Sequence, residues 1–205
     1  MSTVPKTAAD YTWFSKEFPL LAEAYCFTLV RDVSPDDLIN RLGGRREGTT
    51  DDITAFVDHS YGPTLDGDFG AMAALGPWTL LIEPNGYLGV NEERAMPASA
   101  GTCWVSHFVN VNRVGAFLWA EDEEARLRFD PMFPNHRWGS TPDALLETMR
   151  HIGFHLGDEK PENCLSRQAA FALAGHLTGV SLSARLLMET TYTLASLPHS
   201  QPGRV

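Results

Sequence analysis

The chain has 205 residues, 43% apolar and 20% charged, which is the composition of an ordinary globular domain large enough to bury its own core. With 26 acidic against 16 basic side chains the formal net charge is −10, and this argues against a protein that coats nucleic acid, because phosphate binding needs a basic face. Three cysteines with no CxxC pair fit neither a disulfide framework nor a zinc site.

No run of about 18 apolar residues is present. Residues 1–10 lack the apolar stretch of a secretory signal. A cytoplasmic protein with no cofactor is expected.

Residues 1–19 read as a loose lead-in, whose Trp13, Phe14 and Phe18 can dock onto the body. Residues 24–31 (AYCFTLVR) are rich in aromatic and branched side chains and predict a strand. Ser34 as N-cap, Pro35 at the first position, and Asp36 and Asp37 at the positive end of the dipole predict a helix that stops at Gly43. Residues 43–50 read as a loop, and Thr50 as the cap of a short helix to His59 with Ile53, Phe56 and Val57 inward. Residues 60–77, with four glycines and two prolines, read as irregular. Residues 78–83 (WTLLIE) predict a strand, Pro84-Asn85-Gly86 a turn, and residues 87–90 its returning partner. Residues 91–101 suggest one helical turn ended by Gly101.

Residues 102–112 (TCWVSHFVNVN) carry the clearest alternation. Cys103, Val105, His107, Val109 and Val111 fall on one side, and Thr102, Trp104, Ser106, Phe108, Asn110 and Asn112 on the other. The first side is the better core candidate. Residues 116–130 predict a hairpin with the acidic run Glu121–Glu124 at its tip. Without a glycine for a three-residue loop, an even loop is expected. It sends Leu118, Ala120, Leu127 and Phe129 to the core and Phe117, Trp119, Glu121, Arg126 and Arg128 to the other side.

The C-terminal third reads as helical. Thr141 and Pro142 begin one helix, which carries Leu145, Met149 and Ile152 to Gly153. Residues 156–165 form a polar loop, and residues 167–177 a second helix ending near Gly179. Ser181 or Ser183 begins a third, carrying Leu186, Leu187 and Leu194, and residues 198–205 read as a disordered tail. Strands in the middle with helices toward the ends predict one α+β domain over residues 20–197, built on a mainly antiparallel sheet.

The usual catalytic signatures are missing. There is no GxxxxGK[ST], GxGxxG or GxSxG. Gly43-Gly44-Arg45-Arg46 reads as a solvated loop. Ser106 and His107 are strand neighbours and point apart. Cys103 and His107 share a face about 13 Å apart, too far for a thiolate–imidazolium pair. His151 and His155 have HxxxH spacing, but Gly153 lies between them and ends the helix. His107 on an apolar face reads as a buried, neutral, hydrogen-bonded histidine.

Several long segments together resemble a family. They are EAYCFTLVRDVSPDDLINRLGG (23–44), WTLLIEPNGYLG (78–89), SHFVNVNRVGAFLWAEDEEARLRFDP (106–131), RWGSTPDALLETMRHIGF (137–154) and AAFALAGHLTGVSLSARLL (169–187). They resemble a domain-of-unknown-function family common in actinobacteria, Streptomyces and its relatives in particular. The resemblance spans most of residues 20–197. It implies a single fold and assigns no activity, so no catalytic residue comes with it.

The functional expectation is a non-enzymatic, immunity- or antitoxin-like or regulatory protein. Its partner is another protein with a basic surface, and neither nucleic acid nor membrane. The expected surface is Trp104, Phe108, Asn110, Asn112, Trp119, Glu121, Arg126 and Arg128, since aromatic anchors among Arg and amide side chains favour recognition. The alternative is a small-molecule-binding domain or a hydrolase with a site built from Glu83, His107 and His136. An enzyme brings at least two titratable groups into one cleft.

Overall fold

A computed structural model of the chain describes residues 6–61, 68–157 and 164–198. Its centre is a nine-stranded sheet. In chain order the strands are β1 (Tyr25–Arg31), β2 (Arg45–Thr50), β3 (Asp68–Leu75), β4 (Trp78–Pro84), β5 (Cys103–Val109), β6 (Gly115–Glu121), β7 (Glu124–Phe129), β8 (Arg137–Trp138) and β9 (Tyr192–Leu197). Across the sheet they run β2-β9-β3-β4-β1-β5-β6-β7-β8, and every pairing is antiparallel. The fold is α+β, as the composition of elements predicts.

Helices cover both faces. The α-helices are α1 (Phe14–Glu17), α2 (Pro35–Arg41), α3 (Ile53–Ser60), α4 (Glu92–Ala98), α5 (Leu146–Ile152), α6 (Ser166–Thr178) and α7 (Ala184–Glu189). On one face α6 lies over β5 and packs on α5 and on the 3-10 turn Ala8–Tyr11, while α3 packs on β3 and α7. On the other face α2 lies over β3 and β9, and the 3-10 turn Leu88–Val90 sits on β1, β5 and β6 with α4 packed against it. Two hydrophobic clusters result, one on each side of the sheet. Six of the seven residues of β1 and all seven of β4 are buried. A strand buried on both faces reads as a continuous apolar run, which is why these two were the easiest to predict. Among the described residues no helix is long and apolar enough to cross a membrane.

Local chemistry explains the elements that were foreseen. Ser34 Oγ accepts from the Asp37 N–H at 3.1 Å and caps α2, which ends at Gly43 with φ 66°. Asp52 rather than Thr50 caps α3, accepting from the Ala55 N–H at 2.9 Å, and Ile53, Phe56 and Val57 turn inward. Ser183 caps α7 through the Leu186 N–H at 3.1 Å.

Five expectations need correction. Residues 45–50 are strand β2, not loop; as an edge strand with mostly exposed side chains they show no apolar alternation. Residues 68–75 form β3, hidden in the sequence by small residues of low strand propensity. Residues 87–90 do not return as a hairpin partner; β4 pairs instead with β1 and β3. The C-terminal third is not wholly helical, because residues 192–197 form β9 between β2 and β3. The β-branched and aromatic stretch Thr190-Thr191-Tyr192-Thr193 was the signal for a strand, and Leu194 belongs to it. Thr141 does not cap α5, which begins at Leu146.

The N-terminal segment is also not loose from Lys6 onward. Tyr11, Phe14 and Phe18 are buried, and the Tyr11 ring stacks on Phe171 at 5.8 Å. Of the predicted tail, residues 199–205 lie outside the described residues, as do residues 158–163 of the predicted polar loop.

Candidate functional site

The alternation along β5 holds, but its second side does not face solvent. Trp104 is fully buried, and its Nε1–H donates to the Gly89 carbonyl at 2.8 Å. Ser106 is buried and its hydroxyl lies 2.8 Å from that of Thr28. The 3-10 turn Leu88–Val90 covers both. Gly89 permits this close approach, since a Cβ there would sit 1.9 Å from Thr28 Oγ1 and 2.8 Å from Cys26 Sγ. Glu83 fixes the turn from the next strand but one, its carboxylate accepting from the Leu88 N–H at 3.0 Å and the Gly89 N–H at 3.1 Å. Burial pushes the Glu83 carboxyl up to about 7, opposed by the hydrogen bonds from Gly89 and Leu88. Trp104 is therefore removed from the expected surface. A flat, half-polar strand face gave no sign of the segment that closes over it.

The β6–β7 hairpin has a two-residue turn, Asp122-Glu123, with φ of 49° and 65°. Its even length agrees with the sequence reading. Between Trp119 and Ala120 the register then shifts, leaving Arg126 as the extra residue of a bulge. Trp119 therefore pairs with Leu127, and Phe117 with Phe129. Since Phe117 also pairs with His107, these four side chains share the His107 face. Leu118, Ala120 and Arg128 lie on the opposite face, so the expected partition is corrected for Phe117, Leu118, Trp119 and Ala120, while Leu127 and Phe129 lie on the core side expected of them.

Trp119 and Arg128, expected on one side of the hairpin, lie on opposite faces. The Arg126 guanidinium lies 6.0 Å from the Trp119 ring and pairs with Glu124 at 2.9 Å and Glu121 at 3.9 Å. Arg128 stacks on Trp138 at 5.6 Å and forms an ion pair with Glu92 at the start of α4.

What remains open on the second face is a groove of about 550 Å³ between the start of α4 and the ends of β5–β7. Phe108, Tyr87 and Val114 supply its apolar walls, and Glu92, Glu93 and Arg128 its charges. The Tyr87 and Phe108 rings meet edge to face at 6.4 Å. Asn110 shapes the adjacent turn, its Oδ1 accepting from the Asn112 and Val114 N–H groups at 3.0 Å each. Asn112 is exposed in that turn. Of the eight expected surface residues, Phe108 and Arg128 line the groove, and Asn110 and Asn112 lie beside it. Trp119, Glu121 and Arg126 lie toward the other end of the hairpin.

Glu83, His107 and His136 do not assemble into one site. Glu83 pairs with Cys26 on one face, while His107 pairs with Phe27 on the other. His136 is exposed in the β7–β8 connection. His107 packs edge to face against Phe171 at 4.9 Å and Tyr25 at 5.1 Å, with Nε2 3.4 Å from the Tyr25 hydroxyl. Burial, and then the charge of Arg167, depresses its pKa to about 3, so the ring is neutral. Nδ1 has no hydrogen-bond partner among the described residues. Cys103 stays a thiol, burial raising its pKa to about 11. His151 is exposed on the last turn of α5, and among the described residues no three His, Cys, Asp or Glu side chains are grouped to hold a metal ion.

The family model described as a family of unknown function (DUF6461) matches residues 4–202. The chain belongs to the DUF6461 family. The match takes in the N-terminal segment and β9 as well as the motifs that carried the resemblance. No curated protein and no solved structure matches the chain. The functional reading of this DUF6461 member therefore rests on its own surface.

Proposed function

We propose that this DUF6461 protein is a non-enzymatic interaction protein whose groove receives an apolar, positively charged segment of another protein. The observation that carries the reading is where the apolar surface is concentrated. Seven large apolar side chains are exposed among the described residues, and Val111, Val114, Phe133 and Trp138 are four of them. They lie within 28 residues of sequence, in the β5–β6 turn, the β7–β8 connection and β8. The two connections leave the same end of the sheet, where Gly115 lies against Pro131 and Asp130. Exposed apolar side chains gathered beside a groove mark recognition surfaces.

Charge selects the kind of partner. The chain carries −10, and Glu92 and Glu93 stand on the groove rim. Such a surface speeds encounter with a cationic partner and discourages an acidic one.

The test is capture of partners from the source organism by wild-type protein and by a Val114→Glu, Trp138→Ala double variant. Both residues are exposed, so the variant keeps its melting temperature. The wild type captures a protein with a basic segment, and the variant does not. Identical capture by the two proteins overturns the reading.

A further inference from the structure

The opposite face holds a separate cavity of about 390 Å³, open to solvent on one side, between the N-terminal segment and the start of α6. Phe14 and Phe171, 4.8 Å apart and almost fully buried, form its floor, and Tyr25 lies wholly buried beneath them, stacked on Phe171 at 5.6 Å. Arg113, from the β5–β6 turn, and Arg167, from the first turn of α6, supply the charge. None of the described lining residues is acidic.

Acidic side chains exceed basic ones by ten (26 less 16), and arginines 31, 45, 46, 126, 128, 137 and 185 each pair with a carboxylate. Among the described residues Arg41, Arg94, Arg113, Arg150 and Arg167 form no ion pair, and of these Arg113 and Arg167 line the cavity. Arg167 is half-buried and donates only to the Ala22 carbonyl, at 3.3 Å. A guanidinium partly withdrawn from water and left without an anion is unfavourable. Among the described residues no carboxylate offsets that cost, whereas an anion entering the cavity would.

We propose that this cavity binds a small organic carboxylate on an apolar body, with Arg167 and Arg113 taking the carboxylate and Leu165 and the edges of Phe14 and Phe171 the body. The guanidinium fork matches a carboxylate in two parallel hydrogen bonds. The apolar floor suits a hydrocarbon body, and the volume, near the lower end for ligand pockets, suits one or two fused rings. His107, behind Tyr25 and Phe171, is uncharged, and burial keeps the Tyr25 hydroxyl protonated. Among the described residues the two arginines are therefore the charges the ligand meets.

The test uses the full chain and calorimetric titration with 2-naphthoate, its neutral analogue 2-naphthalenemethanol, and inorganic phosphate. Naphthoate is expected to bind at micromolar concentration, at least tenfold tighter than either other probe. Arg167→Gln and Arg113→Gln each weaken naphthoate at least tenfold, whereas Arg150→Gln, an exposed arginine of α5, leaves it unchanged. If Arg167→Gln does not fold, Arg113→Gln decides, because Arg113 is exposed in a turn. Absence of naphthoate binding at 1 mM overturns the proposal. So does binding that survives the arginine changes, or phosphate or the neutral analogue binding as tightly as naphthoate.

Discussion

The two faces of the central strands bury His107 and Glu83 respectively, and they handle them in opposite ways. On the α6 face His107 is enclosed by the rings of Tyr25 and Phe171, with one contact of 3.4 Å and an unpartnered Nδ1. On the α4 face Glu83 is met by two backbone N–H groups of a turn placed to receive it. The first is an aromatic core that tolerates a polar ring in its neutral form. The second is a polar clamp that ties a covering segment to the sheet. The difference teaches that burial alone does not define a site: one group is fixed by packing, the other by hydrogen bonds, and neither is open to a substrate.

Substitutions can break this contrast. Trp104→Ala is expected to have the largest effect, about 3–5 kcal/mol by urea denaturation, because it empties the space under the Leu88–Val90 turn and removes the bond to the Gly89 carbonyl. A loss below 1 kcal/mol would return Trp104 to the surface. Gly89→Ala is expected to cost about 1–3 kcal/mol through overpacking against Thr28 and Cys26. The same change with Thr28→Ser tests whether the clash is the cause, since Thr28 Oγ1 is the nearest atom and should keep the penalty in place.

The two ionisable groups sharpen the contrast through pH. The folded pKa of Glu83, about 7, lies above the ordinary carboxyl value of 4.5, so its contribution is fully present below pH 4.5 and is lost as pH rises through 7. His107, at about 3 against 6.5, has the reverse sign: its contribution is present above pH 6.5 and is lost as pH falls toward 3. Melting temperatures from pH 3 to 8 should show Glu83→Gln flattening the decline between 4.5 and 7, an effect on the order of 3 kcal/mol at most. His107→Gln should lower stability at neutral pH and flatten the acid limb. A fully stable His107→Gln protein would contradict a packing role for the ring. The smallest effect is expected at Arg126, where Arg126→Gln removes partly exposed pairs to Glu121 and Glu124 and should shift stability by less than about 1 kcal/mol.

Much of the fold was legible because local signals and tertiary context agreed. Ser34-Pro35, the apolar run of β1, and the period of Ala169–Leu173 in α6 are instances. The polar edge strand β2 and the alanine-rich β3 were not, because pairing rather than side-chain pattern makes them strands. The partition of β5 into two sets was correct in period. Which set met water depended on the Leu88–Val90 turn, and nothing within residues 102–112 encodes it. The bulge at Arg126 put Trp119 and Phe117 on the same face as Leu127 and Phe129 rather than opposite them, since a single extra residue is invisible to a parity argument. The cavity at Arg113 and Arg167 joins residues 54 positions apart, with no motif to announce it.

The place of β9 has a consequence for biosynthesis. Its neighbours β2 and β3 lie more than 115 positions earlier in the chain, and β2 has no other partner in the sheet. During translation β2 must wait, and β3 keeps one open edge, until residues 192–197 leave the ribosome. A nascent chain stalled before Tyr192 would present unpaired backbone to its neighbours on a polysome, which makes this flank the point where chaperones matter most.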